Sequence, residues 1–301
     1  MNKLIYLENW SLVTVLGKDS KKYLQSQFTN DIEKLSRNRY SFGSHCNVNG
    51  KIINIFIIFH YLDGYAYIQR NYTSEIQVNM LKKYSIFSNV CIFESQKNKL
   101  FGFFGKSSKF FLEKHFNISF NYNHVIRKKN IIFLRIKFPI ERFIIISSIK
   151  VINRFKKKFL NKIIFENYSV WDLFDMEFGF PIITKIYCQK FFPNFFNSKK
   201  LNLISFNKGC YMGQEILCKI KYKNIKNKKL FLIFSRCNVL PNIGDNILKI
   251  KKNKNIISGK VLFSVKNKNY TFVQCILNNK IKKDTLFKIE NINKNIFFLK
   301  K

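Results

Sequence analysis

Acidic residues are scarce in this chain. Its 301 residues include 54 lysines and arginines but only 17 aspartates and glutamates, a formal net charge of +37 at pH 7. Such an imbalance is typical of proteins that bind nucleic acid or an acidic membrane surface. The lysines, however, are scattered through every segment, and asparagine, isoleucine and phenylalanine, whose codons are also rich in A and T, are over-used with them. We therefore expect base composition to account for most of the charge, since a dedicated RNA-binding surface would concentrate it on one face.

Paired cysteine motifs are missing as well. The seven cysteines are an odd number without a C-x-x-C pair, at positions 46, 91, 188, 210, 218, 237 and 275. This pattern argues against a disulfide framework and against a zinc knuckle. We therefore expect free thiols in a reducing compartment and no metal site.

Long apolar runs are absent too. At the N-terminus the chain reaches Glu8 before the apolar core of a secretory signal could form. The longest apolar stretch, 52–59, is interrupted by Asn54 and is far shorter than the roughly 20 residues that a membrane helix needs. We therefore expect a cytoplasmic protein without a membrane partner.

Length and local patterns predict two or three domains of mixed α and β structure. A chain of 301 residues exceeds the size at which one hydrophobic core usually keeps growing. In the first third, β-rich runs predict strands at 10–16, 52–61 and 65–70. An Asp63-Gly64 pair indicates a hairpin between the last two strands. A helix is predicted to begin at Asp19 or Ser20 and to run through Phe28.

The remaining patterns predict a second α+β unit followed by an all-β end. Between 98 and 165 the order is strand, helix, strand, strand, helix: 99–104, 107–116, 131–136, 142–146 and 150–162. A helical stripe that contains Trp171 and Phe178 ends at Gly179. From residue 229 onward, short strands separated by turn residues predict a small antiparallel barrel. The Lys- and Asn-rich stretch 219–229 is the predicted linker.

The most informative motif lies between these parts. It reads Lys208-Gly209-Cys210-Tyr211-Met212-Gly213-Gln214-Glu215. Its glycines allow a positive φ and close approach of the backbone to another surface, which predicts a functional loop. Cys210 follows closely after Lys208, whose charge would favour the thiolate. Three roles are open to this thiol: nucleophile, redox-sensitive group or transient iron–sulfur ligand. The alternative is a buried, inert cysteine in a loop that the lysine, glutamine and glutamate keep in order.

This motif resembles the K-G-C-[FY]-x-G-Q-E signature of the YgfZ family, folate-binding proteins linked to tRNA modification. Further segments that resemble the family are 7–10, 27–31, 45–51 and 177–181, so the resemblance covers nearly the whole chain. It implies the three-domain, ring-like fold of the aminomethyltransferase of the glycine cleavage system. The implied parts are an N-terminal folate-binding α+β domain (1–97 with 166–225), a ferredoxin-like domain (98–165) and a C-terminal antiparallel β-barrel (226–301).

The resemblance also implies a function. The protein would bind a reduced folate, tetrahydrofolate or a derivative, and support tRNA modification through maintenance of the iron–sulfur enzymes that thiolate tRNA, which are then its candidate partners. The family is also associated with control of replication initiation through the ATP-bound level of the initiator. Such a protein need not turn over a substrate, so we expect a folate-binding accessory rather than an enzyme. Whether tRNA itself touches the chain stays open.

Three residues are implied to contact folate. Trp10 and Trp171, the two tryptophans of the chain, match tryptophans that contact folate in the family. An indole face can stack on a pterin, worth about 0.5–1.5 kcal/mol beyond burial. Glu177 would accept two hydrogen bonds from the 2-amino and N3–H edge of the pterin, as in the related aminomethyltransferases. The alternatives are that both tryptophans anchor the core and that Glu177 is a surface acid.

The main rival function is a folate-dependent one-carbon transferase of the aminomethyl type. Those enzymes carry adjacent acids where this chain has Asn54 and Ile55. Neither side chain titrates, so neither can act as the carboxylate that helps to activate folate N10. A module that binds RNA through charge alone is a third hypothesis, disfavoured by the even spread of lysines.

The sequence contains no complete catalytic set. A glycine cradle for nucleotides, an H-E-x-x-H motif and a Ser–His signature are all missing. All four histidines lie in the first 124 residues, so a Cys–His dyad would need a distant partner for Cys210. His45 is the best candidate, because its loop belongs to the segments that resemble the family.

Overall fold

The structure, a computed structural model, describes residues 1–196, 201–224, 227–251, 254–279, 281–282 and 284–300. Helices and strands are interspersed up to residue 222, and from residue 228 onward the described elements are all strands. This arrangement confirms the predicted α+β class and the change to an all-β end.

The first third of the chain forms a five-stranded antiparallel sheet with two helices packed on it. In chain order the elements of this third are β1 (Asn2–Tyr6), β2 (Trp10–Leu16), α1 (Ser20–Gln27), β3 (Tyr40–Cys46), β4 (Ile52–Tyr61), β5 (Gly64–Arg70), α2 (Ser74–Tyr84) and β6 (Cys91–Glu94). Strand β1 belongs to a second sheet, described below. The sheet order is β3-β4-β5-β2-β6. Leu24 of α1 and Leu81 of α2 share a core with alternate residues of β4 and β5, and the other face joins a central core. Because both faces are covered, β4 is apolar along nearly its whole length, and the predicted hairpin is confirmed.

The middle of the chain forms a second sheet that β1 completes. Its elements are β7 (Asn98–Phe104), α3 (Ser108–Phe116), β8 (Val125–Lys128), β9 (Ile131–Ile136), β10 (Arg142–Ser148), α4 (Ile149–Lys158) and β11 (Ile163–Phe165). The strand order is β11-β1-β7-β10-β9-β8. Helices α3 and α4 share a core with this sheet through Phe111 and Phe155. One strand of this sheet therefore comes from outside 98–165, and the predicted domain boundaries stay a prediction.

Helix α5 (Tyr168–Phe178) follows the second sheet and connects it to the site. It begins after Asn167, whose side chain accepts a hydrogen bond from the backbone N–H of Ser169, and it ends at Gly179 with φ +84°. The predicted C-terminus is thus confirmed. Helix α6 (Gln214–Tyr222) begins directly after Gly213.

The predicted linker at 219–229 is wrong in its bounds. Helix α6 continues to Tyr222, because Leu217 and Ile220 are buried on one face and outweigh the polar composition. The first barrel strand already begins at Lys228. Only 223–227 lie between the two elements, and of these 225 and 226 are outside the described residues.

The C-terminal part is a closed six-stranded barrel. Its strands are β12 (Lys228–Ser235), β13 (Asn246–Lys251), β14 (Lys254–Asn267), β15 (Tyr270–Asn278), β16 (Phe287–Ile289) and β17 (Ile292–Leu299). They pair antiparallel in the cyclic order β12-β15-β14-β13-β16-β17. Ile233, Val273 and Phe297 are among the residues that fill its interior. The predicted barrel is confirmed. In the described part of the chain no helix is long and apolar enough to cross a membrane.

Candidate functional site

Two arginines and two aspartates meet where the two sheets join helix α5. Arg70 is the last residue of β5 and Arg142 is the first residue of β10. Asp172 and Asp175 lie one helical turn apart on α5. Arg70 donates to Asp172 and to Asp175 with N···O distances of 2.5 Å each, and Arg142 contacts Asp175 at 2.9 Å. We call these four residues the charge cluster.

The charge cluster is fully enclosed, so the fold can tolerate its charges only because they are paired with one another. Each of the four residues is at most 3% exposed. Burial by itself disfavours charge, yet the attraction of two carboxylates outweighs it at Arg70 and raises the pKa of that guanidinium. At Arg142 burial prevails over Asp175 and lowers the pKa. Burial likewise raises the pKa of Asp172 against the opposing attraction of Arg70. Two positive and two negative charges compensate each other, as buried ions require.

Each arginine also lies over one of the two tryptophans. The guanidinium carbon of Arg70 is 4.7 Å from the ring centre of Trp10, and that of Arg142 is 4.6 Å from Trp171. Trp10 is the direct strand partner of Arg70 in the β2–β5 pair. The structure therefore brings the two predicted tryptophans together through Arg70, Asp175 and Arg142, although they are far apart in sequence.

The faces of both indoles are covered by protein groups. Trp10 also stacks on Phe180, with ring centres 5.7 Å apart. Trp171 is fully buried and packs against Gly102, where an added Cβ would lie 2.4 Å from a ring carbon. A flat ligand could reach these faces only by displacing side chains. The observed packing accordingly matches the core-anchor alternative for the rings, while the contact with folate stays a prediction.

Several buried polar atoms of the charge cluster and of its two tryptophans have no hydrogen-bond partner among the described residues. They are the indole Nε1 of Trp10 and Trp171, Nε of Arg70, Nε and Nη1 of Arg142, and Oδ2 of Asp172. Buried groups left unpaired cost about 1–3 kcal/mol each, and native proteins rarely leave so many in one place. They offer several N–H donors and one carboxylate acceptor, a set that fits the polar edges of a heteroaromatic ligand rather than its faces.

A small polar cavity opens beside Trp10. It has a volume of about 170 Å³, and its lining includes Glu8, Ser11, Asn71, Glu94 and Lys99. Sites for drug-sized ligands usually measure about 300–1,000 Å³. In the observed conformation the cavity therefore admits part of a folate-sized molecule.

Glu177 has an ion-pair partner outside the charge cluster. It lies in the last turn of α5 and forms an ion pair with Lys300, at the end of the barrel. The lysine is also tied to the barrel by its own N–H, which donates to the carbonyl of Leu232 at 2.8 Å. Glu177 is therefore a half-buried residue that joins α5 to the barrel rather than a free surface acid. Its predicted contact with folate stays a prediction.

Asn54 lies next to the charge cluster and is held by the backbone. Its Nδ2 donates to the carbonyl of Arg70 at 3.0 Å, and its Oδ1 accepts from the N–H of Ile55 at 2.8 Å. Both residues are buried. No acid stands at either position, so they cannot supply a carboxylate to a bound folate.

The Lys208–Glu215 loop is fastened to the first sheet by its lysine. The ammonium of Lys208 donates to the carbonyls of Phe28 and Asn30 at 2.8 and 2.7 Å. Burial lowers the pKa of this lysine to about 8, although Asp31 and Glu33 oppose the shift. The ammonium of Lys208 therefore satisfies two backbone carbonyl groups in residues 28–30. Cys210 is exposed, which excludes the buried-thiol alternative, while its thiolate character stays a prediction.

The two glycines of the motif differ in what they do. Gly213 has φ +78°, and an added Cβ would lie 2.6 Å from the carbonyl oxygen of Asn47 and 2.8 Å from Cα of Gly50, which itself has φ +68°. The close contact requires glycine at 213, and the positive φ favours glycine at both 213 and 50. Gly209 does not match the prediction that both glycines of the motif allow a positive φ and close approach of the backbone. Its φ is not positive, and a Cβ there would meet no atom within 4 Å.

The predicted partner of Cys210 is not hydrogen-bonded to it. His45 is fully buried against the edge of Phe28. Neither ring nitrogen has a partner among the described residues, and burial lowers its pKa to about 3. A neutral imidazole in this position is a poor general base at neutral pH. The structure therefore does not form the Cys–His dyad.

The sequence reading missed all four residues of the charge cluster. The sequence signal for these four residues was weak. Asp172 and Asp175 interrupt the apolar stripe of α5, and Arg70 and Arg142 stand at the ends of apolar strands. Lone acids on a helix and charges at strand ends are common at surfaces. In the parts of the chain that the structure describes, no group of three His, Cys, Asp or Glu side chains could hold a metal ion.

Comparison with known proteins gives a consistent result. No family model matches the chain. It is 42% identical over 299 residues to the tRNA-modifying protein YgfZ of Buchnera aphidicola subsp. Schizaphis graminum (strain Sg), covering 99% of this chain and 93% of the relative. It is 31% identical over 291 residues to the protein of the same name from Escherichia coli (strain SE11), covering 96% and 89%.

The fold has a solved counterpart. The glycine cleavage system aminomethyltransferase T from Bartonella henselae superposes with a TM-score of 0.80 over 99% of this chain and 84% of that protein. The sequences are 11% identical, so this likeness concerns the fold alone.

Proposed function

Because this chain belongs to the family of the tRNA-modifying protein YgfZ, we propose that it supports tRNA modification and binds a reduced folate, tetrahydrofolate or a derivative, at the charge cluster. The observation that carries the folate part is the set of unpartnered, buried polar atoms on Arg70, Arg142, Asp172 and the two indoles, residues that contact one another directly or through Asp175. The resemblance of the sequence to a family of folate-binding proteins supports the same ligand class.

The donors and acceptors of the site suit the edges of a pterin. Oδ2 of Asp172 would accept a hydrogen bond from the 2-amino group or the N3–H of the pterin, since Oδ1 is already paired with Arg70. The indole N–H groups and Nη1 of Arg142 would donate to the ring oxygen or to a carboxylate of the glutamate tail. Bound folate would supply a carrier for one-carbon units. The enclosed arginines would exclude water and fix the orientation of the ligand.

A transferase is the second candidate, and the residues at its critical position argue against it. Asn54 is committed to the carbonyl of Arg70 and Ile55 is apolar, so no titratable group faces a one-carbon substrate there. We therefore infer that the protein is an accessory that senses or holds folate. Wild-type protein incubated with tetrahydrofolate and an aminomethyl donor should release no methylene product, and measurable turnover would overturn this choice.

The link to tRNA modification runs through partner enzymes in this proposal. Iron–sulfur enzymes that thiolate tRNA are the partner class, and the loop with exposed Cys210 is the surface that would meet them. The cytoplasm is the compartment in which such enzymes act. A role in replication initiation rests on the family resemblance alone.

A complementation experiment tests the function as a whole. The chain is expressed in a bacterium that lacks its own family member, and thiolated nucleosides of total tRNA are quantified by mass spectrometry. Restoration to the level obtained with the host's own protein supports the proposal. No restoration by a folded, expressed chain would overturn it.

A further inference from the structure

A row of aromatic side chains crosses the outer face of the barrel. Phe234 of β12 is the register partner of Phe298 on β17 and of Phe272 on β15. The ring centres of Phe234 lie 6.2 Å from Phe298 and 6.1 Å from Phe272, the latter pair stacked. Tyr270 extends the row, 6.4 Å from Phe272. We call these four residues the aromatic row.

The aromatic row is open to solvent. Phe298 and Tyr270 are 47% and 41% exposed. Phe234, Tyr270 and Phe272 line a cavity of about 490 Å³ together with Leu299 and Lys300. The ammonium of Lys300 lies 4.6 Å from the ring centre of Phe272. Contiguous exposed aromatics on a soluble domain usually mark a binding surface, whereas Phe87, more exposed still, is in none of the ring pairs described.

The charge around the aromatic row is positive. Residues 227–300 contain 16 lysines and arginines but three acids. Of these acids, Asp245 and Glu290 accept hydrogen bonds from Asn291 and Asn246. The exposed basic residues that follow or flank the row are Arg236, Lys266 and Lys268, whereas Lys300 is already paired with Glu177 of α5. A flat apolar surface bordered by cations is complementary to a nucleic-acid strand with unstacked bases and a phosphate backbone.

We propose that the aromatic row is a stacking platform for unpaired bases of RNA. Bases would lie on the rings of Phe234, Phe298 and Tyr270, while the basic residues contact phosphates. Unpaired bases occur in the loops and at the 3′ end of tRNA, so the choice of tRNA as the natural ligand rests on the proposed function. The stacking itself does not. The platform would give a local function to some of the basic residues, which are otherwise spread over the whole chain.

The test compares single-stranded with duplex RNA. Fluorescence anisotropy at 150 mM salt measures binding of a labelled single-stranded 12-mer and of the same sequence in a duplex. The variants are the double substitution Phe298→Ala/Tyr270→Ala, the conservative Phe298→Tyr and the control Phe87→Ala, which removes an exposed ring elsewhere. We expect wild type, Phe298→Tyr and Phe87→Ala to bind the single strand within about twofold of one another. The double variant should bind at least tenfold more weakly.

Where wild type does bind RNA, two results would overturn the platform. One is equal affinity of wild type for single strand and duplex, since binding through charge alone does not distinguish unpaired bases. The other is unchanged affinity of a folded double variant, which would leave the row as a contact for a protein. If the double variant does not fold, Phe298→Ala alone must show the loss. Restored tRNA thiolation by a wild-type chain that binds no RNA would refute the platform and leave the proposed function intact.

Discussion

Arg142 lies over the ring of Trp171, with its guanidinium carbon 4.6 Å from the ring centre and its Nη2 2.9 Å from Asp175. The arginine belongs to the second sheet and the tryptophan to α5. Through Asp175 the same helix also holds Arg70 of the first sheet. One buried turn of α5 therefore joins both sheets by charge, and the consequences for stability and binding can be measured.

Asp175→Asn should destabilise the protein strongly. It leaves two buried guanidinium groups with one carboxylate, and breaking a buried pair costs about 3–5 kcal/mol. Glu166→Gln is the matched control, because its ion pair with Lys3 is partly exposed and such pairs contribute about 1 kcal/mol or less. Urea unfolding measures both. Similar losses for the two variants would contradict the role given to the charge cluster.

The two glycines of the loop should differ in their sensitivity to replacement by alanine. Gly213→Ala forces a side chain onto a backbone with φ +78° and into the Asn47–Gly50 turn, so it should lower the melting temperature and loosen the loop. Gly209→Ala meets open space and should change the free energy of unfolding by about 0.5 kcal/mol or less. Equal effects in thermal unfolding would show that the loop is not packed as described.

Lys208 should make stability depend on pH in the alkaline range. Its pKa is about 8 in the folded chain against an ordinary 10.5, so the unfolded chain holds this proton more tightly. The resulting penalty on folding is complete below pH 8 and disappears as the pH rises from 8 to 10.5. Relative to Lys208→Met, wild type should therefore gain stability between these values. A constant difference in unfolding free energy from pH 7.5 to 10.5 would contradict the shift.

Cys210→Ser should leave folding and folate affinity unchanged but lower tRNA thiolation in cells. Burial raises the pKa of Cys46 to about 12 and raises that of Cys275 as well, so slow labelling of these thiols reflects burial. The proper comparison for iodoacetamide labelling is with the exposed Cys91 and Cys218. Cys218→Ser is the control for the thiolation assay. If Cys210 labels no faster than these two cysteines, or if Cys210→Ser supports full thiolation as Cys218→Ser does, the Cys210 thiol has no special role.

Local signals in the sequence account for most of the fold. The hairpin of β4 and β5, the glycine at the end of α5 and the β-rich runs of the barrel depend on neighbouring residues, and the structure has each of them. The turn residues of the hairpin are Leu62 and Asp63, and Gly64 begins β5. Strand β1 escaped prediction because it is short and gains its partners from β7 and β11, far along the chain. The linker was misplaced because a short apolar stripe on α6 outweighs its lysines.

The site was less predictable than the fold, because its residues meet only through contacts between distant parts of the chain. Arg70 and Asp172 are 102 residues apart in sequence, and a pairing over this distance leaves no periodic pattern. The tryptophans were found through the family resemblance, and the structure adds that each is the packing partner of a buried arginine. Glu177 and Asp172 both stand on α5, but their side chains pair with different neighbours, Lys300 and Arg70.

The most direct test is a calorimetric titration of the wild type and of Asp172→Asn with tetrahydrofolate, with tryptophan fluorescence followed in parallel. Both tryptophans of the chain belong to the site, so ligand bound there should quench nearly all the emission. The account predicts saturable binding with quenching for wild type and at least tenfold weaker binding for folded Asp172→Asn, which replaces the unpartnered carboxylate oxygen. Absence of binding by wild type, or equal affinity of the two proteins, would contradict it.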